Sequence, residues 1–163
     1  MTIGDFATSR LGGTFKLAYL VRTTITNLTT QDDQVECFRN VATHLEPGGC
    51  FVIEVYIPQL QRLPPASASP ARRDHPRVHR YPNASRLRRV TTSRRKIAFS
   101  HHYWVVDGQL ETFSVPFRYI WPSELDLMAR LAGMTLRDRW SDWTREPFTS
   151  DSRNHVSVWD KTA

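Results

Sequence analysis

A strand–helix–strand succession in residues 14–57 constrains the fold of this chain more than any other feature. Residues 14–21 and 50–57 are short, nearly continuous apolar runs, which are typical of strands covered on both faces. The segment between them has one apolar stripe at helical spacing, formed by Val35, Phe38, Val41, Ala42 and Leu45. Two strands joined through a helix pair in parallel through a right-handed crossover, so the sequence predicts an α/β fold.

The ends of this helix are marked by residues that favour helix boundaries. Thr30 is suited to cap the first turn, and the acids Asp32 and Asp33 favour the positive end of the helix dipole. Pro47 cannot continue a helix, and the two glycines after it allow a tight turn. We therefore expect the helix to stop at residues 46–49, directly before the second strand.

A second ordered region begins at residue 97. Residues 97–106 and 110–120 are rich in β-branched and aromatic residues, and Asp107-Gly108 between them favours a two-residue hairpin turn. Trp121-Pro-Ser-Glu124 is typical of a helix start, and Gly133 of a helix end. Residues 135–140 and 155–159 then predict two final strands.

Residues 58–96 form an irregular insert rich in Pro, Ser, Ala and Arg. The net charge of the chain is +6, but residues 71–96 alone carry +9 and the rest carries −3. A basic segment can bind nucleic acid, a less favoured alternative here. The arginines concerned are Arg72, Arg73, Arg77, Arg80, Arg86, Arg88 and Arg89. Our main hypothesis for residues 71–89 is that they are translated from a shifted reading frame. A basic loop exposed to solvent is the other alternative.

Several short motifs occur in a specific order along the chain. They are Gly4-Asp5-Phe6, Phe15-Lys-Leu-Ala-Tyr-Leu-Val21, Gln34-Val-Glu-Cys-Phe-Arg-Asn40, Leu45-Glu-Pro-Gly-Gly-Cys-Phe-Val-Ile-Glu54 and Trp121-Pro-Ser-Glu-Leu125. In this order they resemble the class I S-adenosylmethionine-dependent methyltransferases. The resemblance implies a partial Rossmann-like sheet containing strands four to seven, ordered 4-5-7-6 with strand seven antiparallel. Residues 97–120 would be an antiparallel β-hairpin insertion near the substrate side.

The resemblance also implies candidate site residues. Asp5 and Phe6 match the segment that contacts the adenine of S-adenosylmethionine, the acid accepting a hydrogen bond from the exocyclic amine. The loop after strand four, with Arg22, Thr23 and Asn27, would pass the methionine part of the cofactor. Candidates on the side of a small-molecule methyl acceptor are His101, His102, Tyr103 and Trp104, although hairpin packing explains these residues equally well. No catalytic residue can be assigned.

Residues 1–163 are expected to be an incomplete methyltransferase domain. In this family the glycine-rich cofactor loop precedes the segment that Gly4-Asp5-Phe6 matches. Strand four of the family's sheet pairs with strand one. The edge of residues 14–21 would then be exposed and prone to self-association, and the chain would be inactive alone. A non-catalytic remnant or partner-binding module is the alternative function.

Cysteines and apolar runs limit the remaining possibilities. Cys37 and Cys50 lack metal-ligand spacing and are expected to be packing residues. No apolar run approaches the ~18 residues of a membrane span, and no signal peptide is apparent. We therefore expect a cytoplasmic protein without a metal or a membrane partner.

Overall fold

The computed structural model describes residues 4–58, 87–92, 96–106 and 109–162. The chain divides into two compact units, unit 1 with Met1–Pro58 and Ile120–Ala163, and unit 2 with Gln59–Tyr119. In chain order the elements are β1 (Phe15–Leu20), a 3-10 helix (Thr24–Asn27), α1 (Gln31–His44), β2 (Leu45–Tyr56), β3 (Leu87–Thr92), β4 (Ile97–Val106), β5 (Gln109–Arg118), α2 (Pro122–Leu131), β6 (Met134–Trp140) and β7 (Asn154–Lys161).

Unit 1 contains a four-stranded sheet in the order β1-β2-β7-β6. β1 and β2 are parallel, while β7 is antiparallel to both of its neighbours. This arrangement corresponds strand for strand to the expected order 4-5-7-6. The predicted α/β class and the partial Rossmann-like sheet are therefore confirmed.

The helix boundaries follow the predicted signals closely. The Thr30 Oγ1 accepts a hydrogen bond from the Asp33 N–H at 3.0 Å, which satisfies one free donor of the first turn of α1. Pro122 occupies the first turn of α2, and the Glu124 carboxylate accepts from the Trp121 N–H at 3.2 Å. Gly133, with φ of 73°, follows the end of α2 as expected.

The Pro-Gly-Gly segment differs from its prediction. α1 ends at His44, and Leu45 already pairs with Phe15 of β1, so residues 46–49 form an irregularity inside β2 rather than a turn before it. Gly48 has φ of 75°. A Cβ on Gly49 would lie 2.9 Å from the Glu46 carbonyl oxygen, so a side chain there would force the backbone apart.

Three aromatic rings form the centre of the core between the helices and the sheet. Phe38 of α1 makes edge-to-face contacts with Phe51 of β2 and Trp159 of β7, at centroid distances of 5.1 and 5.6 Å. All three are fully buried. Phe38 of the predicted apolar stripe thus packs against the two central strands. Val35, Val41 and Ala42 of the stripe are half-buried, and Leu45 lies in β2 rather than in the helix.

A polar chain of contacts lies on the same side of β7. Asp126 of α2 accepts from the Trp159 indole N–H at 3.0 Å and forms an ion pair of 2.6 Å with Arg139. Arg139 Nε also donates to Ser157 Oγ, which is 2.8 Å from the Nδ1 of the buried His155. Burial first, and then the Arg139 charge, lower the pKa of His155 from 6.5 to about 4, so this imidazole is neutral at pH 7.

Unit 2 contains a three-stranded antiparallel sheet in the order β3-β4-β5. β4 and β5 pair from Ile97–Arg118 to Val106–Gln109, which confirms the predicted hairpin. Its turn, residues 107–108, lies outside the described residues. The prediction that residues 58–96 are irregular is wrong for β3, which pairs with β4 from Leu87–Tyr103 to Thr92–Ala98. Residues 87–92 show no strong alternation of apolar and polar residues, so their sequence gives little indication of a strand. Pairing with the edge of β4 stabilises the strand. The rest of the basic insert, including most of the proposed frame-shifted segment, lies outside the described residues.

Within the part of the chain that the structure describes, no helix is both long and apolar enough to cross a membrane.

Candidate functional site

The carboxyl ends of the parallel strands β1 and β2 lie side by side in unit 1. In open α/β sheets ligands bind at this edge of the sheet. The chain leaving β1 there passes through Arg22 and Thr23, whose φ angles of 55° and 63° place two consecutive non-glycine residues in the left-handed region. Such conformations cost free energy and cluster at functional sites, so this loop is the first candidate site.

Glu54 of β2 holds the strained loop. Its Oε2 accepts from the Arg22 N–H at 2.9 Å, and its backbone carbonyl accepts from the Thr23 N–H at 3.1 Å. One residue of the neighbouring strand therefore fixes both left-handed residues. An acidic side chain inside an otherwise apolar strand is the sequence signal that could have identified Glu54.

The short 3-10 helix that follows is fixed to its own loop. The hydroxyls of Thr24 and Thr26 donate to the carbonyls of Val21 and Thr23 at 2.6 and 2.8 Å. Ile25 and Thr26 are buried, whereas Asn27 is exposed. Of the predicted residues of this loop, Arg22 and Asn27 therefore face solvent and Thr23 is half-buried.

Asp5 and Phe6 lie in a compact turn. Asp5 Oδ1 accepts from the Ala7 N–H at 2.7 Å, and the Asp5 carbonyl accepts from the N–H groups of Thr8 and Ser9. Asp5 is exposed, while Phe6 is half-buried and packs against the core. Burial, and then the Asp5 charge, raise the pKa of Cys37 on α1 to about 12, so that thiol stays protonated and the predicted packing role fits it.

Two buried amides of α1 contact these two segments, and sequence reasoning did not single them out. Gln34 Nε2 donates to the carbonyls of Ile25 and Leu28 in the loop after β1. Asn40 Nδ2 donates to the carbonyls of Phe6 and Ser9 in the Asp5 turn. α1 thus brings the two predicted cofactor segments to one helix.

The candidates for the acceptor side lie in β4 of unit 2. His101 Nδ1 is 2.7 Å from Ser114 Oγ, and its ring stacks on Phe99. His102 Nε2 is 2.9 Å from Ser100 Oγ. The two histidines therefore make their side-chain contacts with different residues, as adjacent strand positions predict.

The two aromatic candidates on the same strand are half-buried. Trp104 donates its indole N–H to the Glu111 carboxylate of β5 at 2.8 Å, while Tyr103 is opposite Thr112. The Trp104 contact is a cross-strand pair of the hairpin, which is the packing explanation anticipated for it. A role toward substrate stays a prediction for all four residues.

No group of three or more metal-ligating side chains occurs among residues 4–58, 87–92, 96–106 and 109–162.

Solved methyltransferase structures are similar to this chain over nearly its whole length. The CcbJ methyltransferase from Streptomyces caelestis is 32% identical, with a TM-score of 0.83 over 99% of this chain and 63% of its own. An S-adenosylmethionine-dependent methyltransferase from Clostridium acetobutylicum matches with a TM-score of 0.77 at 10% identity, over 99% of this chain and 64% of its own. CalS10 from Micromonospora echinaspora, an amino pentose methyltransferase solved with S-adenosylmethionine bound, matches with a TM-score of 0.63 at 20% identity, over 98% and 63%.

No protein-family model and no curated protein sequence matches the chain. The structural matches nevertheless confirm the predicted resemblance to the class I S-adenosylmethionine-dependent methyltransferases. The chain spans slightly less than two thirds of the length of each of these three structures.

Proposed function

We propose that the chain carries part of the site of an S-adenosylmethionine-dependent methyltransferase that acts on a small-molecule acceptor. The observation that carries the proposal is the strained Arg22–Thr23 loop at the carboxyl end of β1, fixed by Glu54 of the neighbouring strand. The 32% identity to CcbJ over almost the whole chain supports it.

The residues present fit the cofactor in two places. The exposed Asp5 carboxylate is held in its turn by the Ala7 N–H and would accept a hydrogen bond from the exocyclic amine of the adenine. Phe6 beside it would contact the adenine ring. Arg22, Thr23 and Asn27 would border the methionine part. When bound, S-adenosylmethionine would supply an electrophilic methyl group, whose bond to sulfur breaks as its bond to the acceptor atom forms, with the sulfur leaving as a neutral thioether. The protein's contribution is mainly to align the two reactants and exclude water.

His101, His102, Tyr103 and Trp104 of β4 are proposed as residues for the methyl acceptor. A nucleophile that carries a proton must lose it on methylation, and His101 or His102 is proposed as the general base that takes it. Tyr103 and Trp104 supply apolar surface for the acceptor. His101→Gln and His102→Gln, assayed separately, are expected to show which histidine affects the turnover of an identified acceptor.

This chain is proposed to be impaired on its own. β1 is an edge strand of the described sheet, so β2 is its one neighbouring strand there. The side chains on one face of β1 are exposed, with fractions of 43% for Phe15, 51% for Leu17 and 63% for Tyr19. An apolar edge of this kind pairs readily with another chain, so we propose that it mediates self-association.

The proposal is tested by titrating S-adenosylmethionine into the full 163-residue chain and measuring binding by calorimetry and by NMR chemical shifts. We expect saturable binding with a Kd above about 10 μM, that is, weaker than about 7 kcal/mol. Absence of saturable binding would contradict the methyltransferase site. Tight binding by a monomer would contradict only the proposed impairment.

The same exposed edge favours the second candidate function, a partner-binding module without catalysis. A chain that binds a partner through β1 but shows no cofactor binding would support that alternative. The nucleic-acid alternative depends on arginines that lie outside the described residues, except Arg88 and Arg89 of β3. It predicts salt-dependent binding that is lost on deleting residues 71–96. A cytoplasmic location also stays a prediction.

A further inference from the structure

Gln34 and Asn40 are the buried polar residues of α1, with exposed fractions of 0% and 7%. With Cys37 between them they form one row along the helix, each member three residues from the next. At a rise of 1.5 Å per residue the two amides lie about 9 Å apart along the axis. Burying an amide costs free energy unless its hydrogen bonds are made, so their partners indicate what the two residues do.

Each amide donates its two N–H groups to two backbone carbonyls of a single segment. Asn40 Nδ2 contacts the Phe6 and Ser9 oxygens at 3.1 and 2.9 Å. Gln34 Nε2 contacts the Ile25 and Leu28 oxygens at 3.3 and 3.1 Å. A primary amide has two donors, so both are used in full at each position.

The orientation of the Asn40 amide is fixed from its other side. The Arg10 guanidinium donates to Asn40 Oδ1 and, at 3.1 Å, to Thr43 Oγ1. The Leu11 N–H donates to His44 Nε2 at 2.9 Å. Residues on both sides of Ser9 are thus bound to α1, and the whole Asp5 turn is held as one piece.

We propose that Gln34 and Asn40 are positioning residues that place the two parts of the cofactor site separately. Asn40 places the Asp5–Phe6 turn for the adenosine part, and Gln34 places the loop after β1 for the methionine part. This inference rests on the proposed function, because it assigns roles toward the same ligand. Neither residue contacts the ligand in this assignment. Both act through the backbone that they hold.

The two residues are tested by substitutions that keep size and remove the donors. Asn40→Asp retains an oxygen for Arg10 but cannot donate to Phe6 and Ser9, and Gln34→Glu is its counterpart at the other segment. Glu36→Gln, at an exposed position of the same helix, is the matched control. If a buried carboxylate prevents folding, Asn40→Leu and Gln34→Met remove the donors without adding charge.

The first readout is amide hydrogen exchange by NMR on the full chain. Asn40→Asp should speed exchange of the Ala7, Thr8 and Ser9 amides about tenfold, the expected result of losing hydrogen bonds of ordinary net strength. Exchange of the Thr26 and Leu28 amides should stay within about twofold of wild type. Gln34→Glu should give the opposite pattern.

The second readout separates positioning from a general loss of structure. Asn40→Asp should weaken binding of both S-adenosylmethionine and adenosine by about five- to tenfold. Gln34→Glu should weaken S-adenosylmethionine to a similar extent while adenosine changes less than about twofold. Equal effects on both ligands from both substitutions would overturn the separate roles. A wild-type chain that binds neither ligand would refute the proposed function, whereas variants that bind as well as a binding wild type would refute the positioning roles alone.

Discussion

β1 and β2 are similar in sequence but occupy different environments. β1 and the second half of β2, residues 50–56, are both short runs made mostly of apolar residues. β2 lies between two strands and buries Phe51, Ile53 and Val55, whereas β1 lies at the sheet edge and exposes Phe15, Leu17 and Tyr19. Leu17 and Tyr19 are in register with the half-buried Cys50 and Val52, whereas Ala18 and Leu20 of β1 pack against the core beside Phe51 and Ile53. The comparison shows that the face of the sheet on which a side chain lies, rather than the apolar content of its strand, determines how deeply it is buried.

The largest expected effect tests this comparison directly. Phe51→Ala removes a ring that contacts Phe38 and Trp159 and should lower the free energy of unfolding by about 3–5 kcal/mol. Leu17→Ala, in the parallel strand, should change it by less than about 0.5 kcal/mol. Urea unfolding followed by circular dichroism measures both. A large loss for Leu17→Ala would show that its face of β1 is covered in solution.

A pH effect should follow from the strand on the other side of β2. His155 of β7 is opposite Val55 of β2, and its imidazole contacts Ser157 and the Phe148 ring. Ser157 in turn accepts a hydrogen bond from Arg139, which is ion-paired with Asp126. The folded pKa of His155, about 4, lies below the ordinary 6.5, so between these values the unfolded chain binds more protons. The free energy of unfolding should reach its full value above pH 6.5 and should decrease by about 3 kcal/mol as the pH falls to 4.

The control for this effect is His155→Phe, which keeps an aromatic ring beside Phe148 but cannot bind a proton. Its stability should change less between pH 6.5 and 4 than that of the wild type. An identical pH slope for variant and wild type would exclude His155 as the source.

A smaller effect concerns the contact by which β2 holds the loop after β1. Glu54→Ala removes the acceptor of the Arg22 N–H and should cost about 1 kcal/mol of stability. It should also weaken S-adenosylmethionine binding about fivefold, because the left-handed loop loses its side-chain partner. Glu36→Ala removes a surface ion pair with Arg39 and should change stability by less than about 0.5 kcal/mol. Equal binding of S-adenosylmethionine by Glu54→Ala and wild type would show that Glu54 does not contribute to the cofactor site.

The smallest effect on stability is expected at the β1 edge, where the oligomeric state should change instead. Leu17→Lys places a charge on the exposed face and should shift self-association toward monomer, as measured by sedimentation equilibrium. Leu127→Lys is the matched control, because Leu127 of α2 has the same exposed fraction of 51%. A wild-type chain that is monomeric at all concentrations would refute self-association through this edge.

Local signals were sufficient for most of unit 1. The apolar stripe, the Thr30 cap and Gly133 depend on residues near in sequence, and each predicted element of this unit is present. The strand order came from the family resemblance rather than from periodicity. β3 was missed because its order depends on pairing with β4, and a strand without a strong alternation gives little local signal.

The candidate site was only partly predictable for a related reason. The loop after β1 was located by its position after a strand, but its left-handed residues and the contact with Glu54 arise from tertiary structure. Gln34 and Asn40 interrupt an otherwise apolar helix face. The partners of Asn40 are 31 and 34 residues away in sequence, and those of Gln34 lie 6 and 9 residues away in the preceding loop, so helical periodicity predicts neither contact.

The position of β7 has a consequence for how the chain is synthesised. β7 lies between β2 and β6, although it follows both in sequence, and Lys161 Nζ bonds to the Leu45 carbonyl across 116 residues. While the ribosome makes residues 57–153, the inner edge of β2 has no partner, and unit 2 is produced during this interval. Contacts so distant in sequence form slowly, so this edge of β2 is open to pairing with other chains until β7 has been made.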